Sequence, residues 1–248
     1  MSNIRGSREY FSKLAMDVKW MTKQLGPPTL FVTCSTAEWY SEALISYLRA
    51  VNKSIPELCA MDPDYFWRIE YQARGAPHVH LILWIKDVPV LGRNTVKDVE
   101  ECIQSIIMCS MPDPEKSPTL HTLVTQFQTH ECNSYCTKTY KKDNKFYKKC
   151  RFGFPRPVKS VICMNDVIDC LATSKKQPQK RLYRLVRNKD EMQMNDYNAA
   201  LLLTNQGNVD VQYIGHLGSP LPFYITDYMT EHERAEQDEL WHERLQCL

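Results

Sequence analysis

A β-hairpin that carries two histidines is the feature that most constrains the fold of this chain. Phe66 to Gln72 alternates apolar and polar residues, and Leu81 to Ile85 is an apolar run, with a glycine- and proline-containing turn between the two. Two β-rich runs on either side of such a turn predict a pair of antiparallel strands. Successive side chains on a strand point to opposite faces, so His78 and His80 should share one face and could bind one metal ion.

The preceding strand offers a third ligand. Glu70 and Gln72 share a face of that strand, and the hairpin would bring one of them beside the imidazoles. Three protein ligands leave positions open for a substrate oxygen and water, as a catalytic metal site requires. A carboxylate suits Mg²⁺ or Mn²⁺, so Glu70 is the favoured third ligand and Gln72 the alternative; residue type alone also allows Zn²⁺. One core and one surface histidine on an ordinary strand is the competing interpretation.

Two tyrosines form a second candidate site. Tyr224 and Tyr228 follow Pro220 and Pro222 in a run without further glycine or proline, which is typical of a helix start. Residues four apart on a helix lie on one face, so both phenols could face the same metal ion. A phenol with a pKa of about 10 needs activation by a base or a metal to act as a nucleophile. A core stripe of two aromatic side chains is the structural alternative.

Four segments, in this order, resemble the replication-initiator motifs of Helitron transposases: Phe31–Trp39, Glu70–His80, Asn208–Tyr213 and Tyr224–Tyr228. The resemblance covers nearly the whole chain and is to the Helitron-like N-terminal domain, a two-tyrosine member of the Rep-type His-hydrophobe-His endonucleases. It implies a nuclease that nicks single-stranded DNA by tyrosine attack, retains the 5′ phosphate as phosphotyrosine and frees a 3′ hydroxyl, as in rolling-circle transposition. It also implies His78 and His80 as metal ligands, Tyr224 and Tyr228 as nucleophiles, and Mg²⁺ or Mn²⁺ as the metal.

A group of histidine and cysteine residues follows. His130, Cys132, Cys136 and Cys150 offer four ligands, enough for a closed tetrahedral Zn²⁺ site with a structural role. The spacing departs from common finger patterns, so the residues alone also allow free buried thiols, with His121 as a substitute ligand. A disulfide framework is disfavoured because the chain starts with charged, amphipathic residues, and ten cysteines then indicate metal binding or a reducing compartment. Helitron-like domains carry a similar array ending in Cys-Arg-Phe-Gly-Phe-Pro, as at 150–155, so the resemblance favours zinc.

Basic residues are concentrated, although the formal net charge is only +2. The block from Lys138 to Lys159 contains a single acid, and that from Lys175 to Lys189 contains none. Such blocks can track a nucleic-acid backbone while nearby aromatic rings stack on bases, and a solvated basic loop is the alternative. The candidate DNA-binding residues are Lys141, Lys142, Lys148, Lys149, Arg151 and Arg156.

Interleaved helix and strand patterns predict an α+β fold with a central, mainly antiparallel sheet and flanking helices. We expect an N-terminal amphipathic helix within 1–28 and an endonuclease domain over 29–248, with an inserted zinc-binding and basic module at about 121–160. The expected elements are a helix at Ser7–Leu25, a strand at Thr29–Ser35, helices at Ala37–Val51 and Val96–Cys109, a helix or strand at Val161–Leu171, and strands at Arg181–Val186 and Val209–Ile214. No apolar run is long enough to span a bilayer.

Other classes of function remain open. A binding-only module derived from a transposase or replication initiator would keep the basic loops without catalysis, and a metallohydrolase would use water in place of tyrosine. A motor is disfavoured because no glycine precedes a lysine, so the phosphate-binding loop is missing. Helitron transposases join such a domain to a helicase, so the resemblance implies a helicase domain as a partner besides single-stranded DNA. It also implies a nuclear location.

Overall fold

The structure is a computed structural model that describes residues 8–35, 64–71, 77–159, 162 and 182–217. Several expectations fall outside the described residues. These are the helix at Ala37–Val51, the segment Val161–Leu171 apart from Ile162, the alternative ligand Gln72, and the segment with Tyr224 and Tyr228.

A four-stranded antiparallel sheet is the central element of the described residues. The strands are β1 (Leu30–Ser35), β2 (Asp64–Tyr71), β3 (Pro77–Trp84), β4 (Thr137–Lys142), β5 (Lys145–Cys150) and β6 (Val209–Tyr213). The large sheet has the order β2-β3-β1-β6, and all its pairings are antiparallel. The α+β class with a mainly antiparallel sheet is therefore confirmed, as is the pairing of β2 with β3 in the histidine hairpin.

Short helices connect and flank the strands. They are α1 (Arg8–Leu25), α2 (Val96–Ile106), α3 (Pro118–Leu123) and α4 (Ala199–Asn205), with a π-helical turn at Val124–Gln128 and a 3₁₀ turn at Lys189–Glu191. A capping box begins α2, because the Thr95 hydroxyl accepts from the Asp98 amide while the Asp98 carboxylate accepts from the Thr95 amide. In the described ranges, no helix combines the length and apolarity needed to cross a membrane.

The two faces of the sheet pack against different partners. Residues such as Val32, Leu81 and Val211 point to one face and join the main core with residues of α2 and α4. The opposite face carries His78 and His80, and we call it the histidine face. Part of the histidine face is covered by α1, whose Val18 packs in one cluster with Ile82, Trp84 and Ile214. The period-2 alternation of each strand thus separates an apolar core from a face that holds polar groups.

Three expectations differ from the structure. The helix expected over Val96–Cys109 ends at Ile106, because Met108 pairs its backbone with Tyr197 instead of continuing the helix. The described residues of Arg181–Val186 form no strand; their apolar pattern reflects burial of side chains such as Tyr183, whose hydroxyl donates to the Val211 carbonyl at 3.3 Å. The short helices α3 and α4 were not expected, since six and seven residues are too few to show a clear helical period.

The basic stretch is a β-hairpin where the sequence indicated only a loop. Strands β4 and β5 form a separate two-stranded sheet. Asp143 and Asn144 connect them and both have positive φ, 50° and 58°, as a two-residue type I′ turn requires. Aspartate and asparagine tolerate this conformation better than most other residues. All residues of β5 before Cys150 are exposed, so this hairpin adds little to the core.

Candidate functional site

Strand register brings five polar side chains together on the histidine face. Across β1 and β3, Thr33 lies opposite His80, and Ser35 lies opposite His78. On the other side of β3, Glu70 lies opposite His78. Directly opposed residues of an antiparallel pair extend from the same face, so the two histidines lie between a strand with hydroxyls and a strand with a carboxylate.

His80 is held at both ring nitrogens. Its Nε2 lies 2.6 Å from Oε2 of Glu70, and its Nδ1 lies 3.1 Å from Oγ1 of Thr33. The ring also stacks on Phe31, with centroids 5.8 Å apart and planes inclined by 9°. Only 4% of His80 and 5% of Glu70 is exposed. A carboxylate this deeply buried needs a compensating partner, so Glu70 and His80 make a position where positive charge is favoured.

The half-buried His78 has an equivalent contact, because its Nδ1 lies 3.0 Å from Oγ of Ser35. When each Nδ1 carries the proton and donates to its hydroxyl, the lone pair of each imidazole is on Nε2. Metal-ligating histidines typically donate their second ring N–H in this way. Thr33 and Ser35 were not among the candidate site residues. The signal that could have found them is two hydroxyl residues two apart on a neighbouring strand, matching the spacing of His78 and His80.

The donor chemistry of Glu70, His78 and His80 fits a divalent cation. Neighbouring ligands about 2.1 Å from an octahedral ion are roughly 3 Å apart, close to the separation of the Glu70 and His80 donor atoms. His78 is less tightly grouped, because the described ranges contain one group of three or more His, Cys, Asp or Glu donors within 4.8 Å of one another, and that group lies elsewhere. The structure therefore joins Glu70 to His80 and places His78 beside them on the same face.

A row of polar residues crosses the whole sheet at His80. Arg68 lies opposite His80 on β2, and Asp210 lies opposite Thr33 on β6. The Arg68 guanidinium is buried 4.4 Å from the centre of the Phe11 ring, which links α1 to this row. Three of the four segments that carry the Helitron resemblance thus contribute to four neighbouring strands of one sheet.

The second candidate site lies at the base of the β4–β5 hairpin. The donor atoms of His130, Cys132, Cys136 and Cys150 all lie within 4.8 Å of one another, and we call these residues the His/Cys cluster. Ligands about 2.3 Å from a tetrahedral ion are separated by roughly 3.8 Å, so the spacing suits such an ion. The expectation that these four residues form a group able to hold a metal is confirmed. His121, the substitute ligand, is not part of the cluster.

Local structure favours the ligating forms of this cluster. Phe154 stacks on His130 with centroids 4.4 Å apart, and burial, together with the nearby Arg156 charge, lowers the His130 pKa. A neutral imidazole is the form that binds metal. Burial opposes ionisation of Cys150, but hydrogen bonds from the Phe154 and Phe152 backbone outweigh it and lower the Cys150 pKa. Thiolate is the form of cysteine that ligates metal.

The candidate DNA-binding residues fall into two structural groups. Lys141, Lys148 and Lys149 are exposed on the hairpin, where β4 ends at Lys142. The guanidinium of Arg151 lies over the rings of Tyr135 and Phe152, at 4.1 and 4.6 Å from their centres. Arg156 lies 4.6 Å from the Phe154 ring centre and donates to Asn195. The two arginines therefore pack around the His/Cys cluster, and the lysines present charge to solvent.

Comparison with protein families gives one match. Residues 29–144 match the model of a family of replication-associated proteins, the ORF2 family. The matched range contains β1 to β3, and therefore Glu70, His78 and His80, and it ends in the turn between β4 and β5. Comparison with curated proteins finds no match. The match supports a Rep-type endonuclease domain in this chain and does not single out Helitron transposases.

Proposed function

We propose that this chain is a metal-dependent endonuclease and strand transferase that nicks single-stranded DNA by attack of a tyrosine. One observation carries the proposal: Glu70 and His80 are in contact on the histidine face, beside His78, within the range that matches a replication-associated family. The family supports single-stranded nicking as in rolling-circle replication in general. The order of the four motif segments supports the finer assignment to a Helitron-type transposase.

Glu70, His78 and His80 would hold Mg²⁺ or Mn²⁺, and Gln72 remains the alternative to Glu70. When bound, such an ion supplies Lewis-acid stabilisation of negative charge on the scissile phosphate. The protein's own contribution is orientation. The Thr33 and Ser35 hydroxyls fix the two imidazole rings, and Phe31 packs against one of them. Fixed donors require little reorganisation when charge develops in the transition state.

The nucleophile is the phenolic oxygen of Tyr224 or Tyr228. It forms a bond to phosphorus while the bond from phosphorus to the 3′ oxygen breaks, and the phenolic proton is transferred overall to that 3′ oxygen. One phosphoester replaces another, so the free 3′ hydroxyl can reverse the step without ATP. A second tyrosine can retain another strand during exchange, which is why both are assigned this role.

Covalent capture tests this proposal. The protein is incubated with Mn²⁺ and a randomised pool of 3′-labelled single-stranded oligonucleotides, and denaturing gels and peptide mapping locate any adduct. We expect a labelled adduct that is lost in the double variant Tyr224→Phe, Tyr228→Phe. Tyr65→Phe is the matched control, because Tyr65 lies on β2 but points away from the histidine face.

Two outcomes would contradict the proposal. Cleavage by the double variant with release of a free 5′ phosphate would identify a metallohydrolase that uses water. Binding of the pool without any adduct or cleavage would identify a catalytically inactive binding module. The Helitron-type assignment also implies a helicase domain as partner and a nuclear location, and imaging of a fluorescent fusion in eukaryotic cells tests the location.

A further inference from the structure

We propose that one face of the β4–β5 hairpin is a stacking surface for single-stranded nucleic acid, with Tyr140 and Tyr147 at its centre and lysines on either side. The inference deepens the proposed function by naming where the strand is held, and it rests on that function only for the identity of the strand as substrate. The matched range 29–144 excludes β5, so the family match assigns no such surface.

The register of the hairpin sorts its side chains into two faces. Tyr140 lies opposite Tyr147, and the same face carries the pairs Lys138–Lys149 and Lys142–Lys145. We call this the tyrosine face. The opposite face carries Thr139 with Lys148 and Lys141 with Phe146, and it ends at the pair of Thr137 with Cys150. The tyrosine face therefore has an aromatic centre between two pairs of lysines.

The tyrosine pair is assembled but largely uncovered. The two rings stack with centroids 5.6 Å apart and planes inclined by 23°. Tyr140 remains 45% exposed and Tyr147 remains 41% exposed. An aromatic pair normally gains most when it is buried. Here the stacked rings leave aromatic surface in solvent, and every nucleic-acid base can stack on such a surface regardless of sequence.

The lysines on the tyrosine face indicate a polyanionic partner. Like charges directly opposite each other on paired strands destabilise a hairpin, and this face has two such pairs. In the part of the chain that the structure describes, no ion pair includes a hairpin lysine. A phosphate backbone would compensate these charges. An acidic peptide would also do so but would not use the tyrosine rings, and a duplex keeps its bases stacked on each other.

The His/Cys cluster anchors this surface. An isolated two-stranded hairpin is marginally stable in water. At its base the Arg151 amide donates to the Cys136 carbonyl at 2.8 Å, and the cluster residues Cys136 and Cys150 lie at the ends of the two strands. A metal ion on the cluster would join the two strands and hold the tyrosine face in register.

The test measures binding, without added Mg²⁺ or Mn²⁺, of fluorescein-labelled oligothymidylate to the full chain by fluorescence anisotropy. Two variants remove the flat rings: Tyr140→Ala, Tyr147→Ala, and Tyr140→Leu, Tyr147→Leu, which keeps an apolar cross-strand pair in case the first fails to fold. Both should weaken binding roughly tenfold or more, because stacking of one base is worth about 5- to 150-fold. Phe146→Ala is the matched control, since Phe146 is 74% exposed but lies on the opposite face.

A second probe separates stacking from charge. An abasic oligonucleotide of equal length has the same phosphates without bases, and it should bind the wild type and both tyrosine variants equally. Lys138→Ala, Lys149→Ala should flatten the dependence of log Kd on log salt by about 1.4, at roughly 0.7 for each lost single-strand phosphate contact. The same charge change at the exposed Lys97 and Lys116 should leave that slope unaltered.

Three results would overturn the inference. These are unchanged oligothymidylate binding by the leucine variant, an equal loss for Phe146→Ala, and an equal loss of affinity for the abasic strand. Because binding is measured without the catalytic metal, its failure is distinguishable from failure of the proposed nuclease. Covalent capture that fails while the tyrosine-face variants still lose affinity would refute the nuclease alone.

Discussion

Replacing Thr33 by valine should weaken metal binding on the histidine face with little change of shape. Valine keeps the branched volume of threonine but removes the hydroxyl that lies 3.1 Å from Nδ1 of His80. Only 4% of His80 is exposed, so water has little access to replace the lost hydrogen bond. A buried polar group left without its partner costs about 1–3 kcal/mol.

That cost has a second estimate through metal affinity. Loss of a partner that orients a metal-ligating histidine reduces affinity by roughly 10- to 100-fold, or about 1.4–2.7 kcal/mol. The two ranges agree, so we expect the Kd for Mn²⁺ to rise by at least about tenfold in Thr33→Val. Ser35→Ala should have a smaller effect, because His78 is only half-buried and water can replace its Ser35 contact.

Titration of Mn²⁺ followed by electron paramagnetic resonance of the free ion measures this directly, without dependence on cleavage. Thr33→Ser retains the hydroxyl and should bind Mn²⁺ nearly as well as the wild type. Thr139→Val makes the same change at an exposed strand position on the hairpin and should be neutral. Wild-type affinity in Thr33→Val, or an equal loss in Thr33→Ser and Thr33→Val, would refute the role of the hydroxyl.

Three further predictions concern catalysis, the His/Cys cluster and the core. The double variant His78→Ala, His80→Ala should lose cleavage in denaturing gels but keep salt-sensitive DNA binding, because lysines elsewhere supply the phosphate contacts. Elemental analysis should find one Zn²⁺ per chain, and Cys136→Ser or chelation should lower the melting temperature, since metal affinity there contributes folding free energy; an unchanged melting temperature would argue against a structural metal. Asp196→Ala should destabilise the fold by about 3–5 kcal/mol in urea titrations, because it leaves the guanidinium of Arg187, now 2.7 Å from Asp196 and 4% exposed, buried without its charge partner.

Several elements were predictable because their signals are local. The alternation in β2 and the turn before β3 predicted the hairpin, and the spacing of His78 and His80 put both on one face. The four donors of the His/Cys cluster were also predictable, since each pairing of residue type and spacing had few other uses. Lysine-rich strands have weak β propensity, which explains why the sequence of β4 and β5 indicates a loop despite the Asp143–Asn144 turn.

Other features depended on contacts between distant parts of the chain. The apolar residues around Tyr183 gave the pattern of a strand, but their burial comes from packing against β6 and the rest of the core. The interpretation of Arg151 and Arg156 as DNA-binding residues did not anticipate the aromatic rings on which their guanidinium groups lie. Burial against a core and contact with a phosphate backbone leave similar residue types in a sequence.

By itself, the sequence determined that this protein presents two histidines on one face of a hairpin and gathers a His/Cys group that could hold a metal. Side-chain alternation and residue chemistry are local properties, so no distant contact was needed. Only the tertiary structure decided that β1 lies between β3 and β6 and sets Thr33 against His80, 47 positions away. Strand order and register arise from burial of the whole core, and a period-2 pattern states which face a residue takes without stating its neighbour.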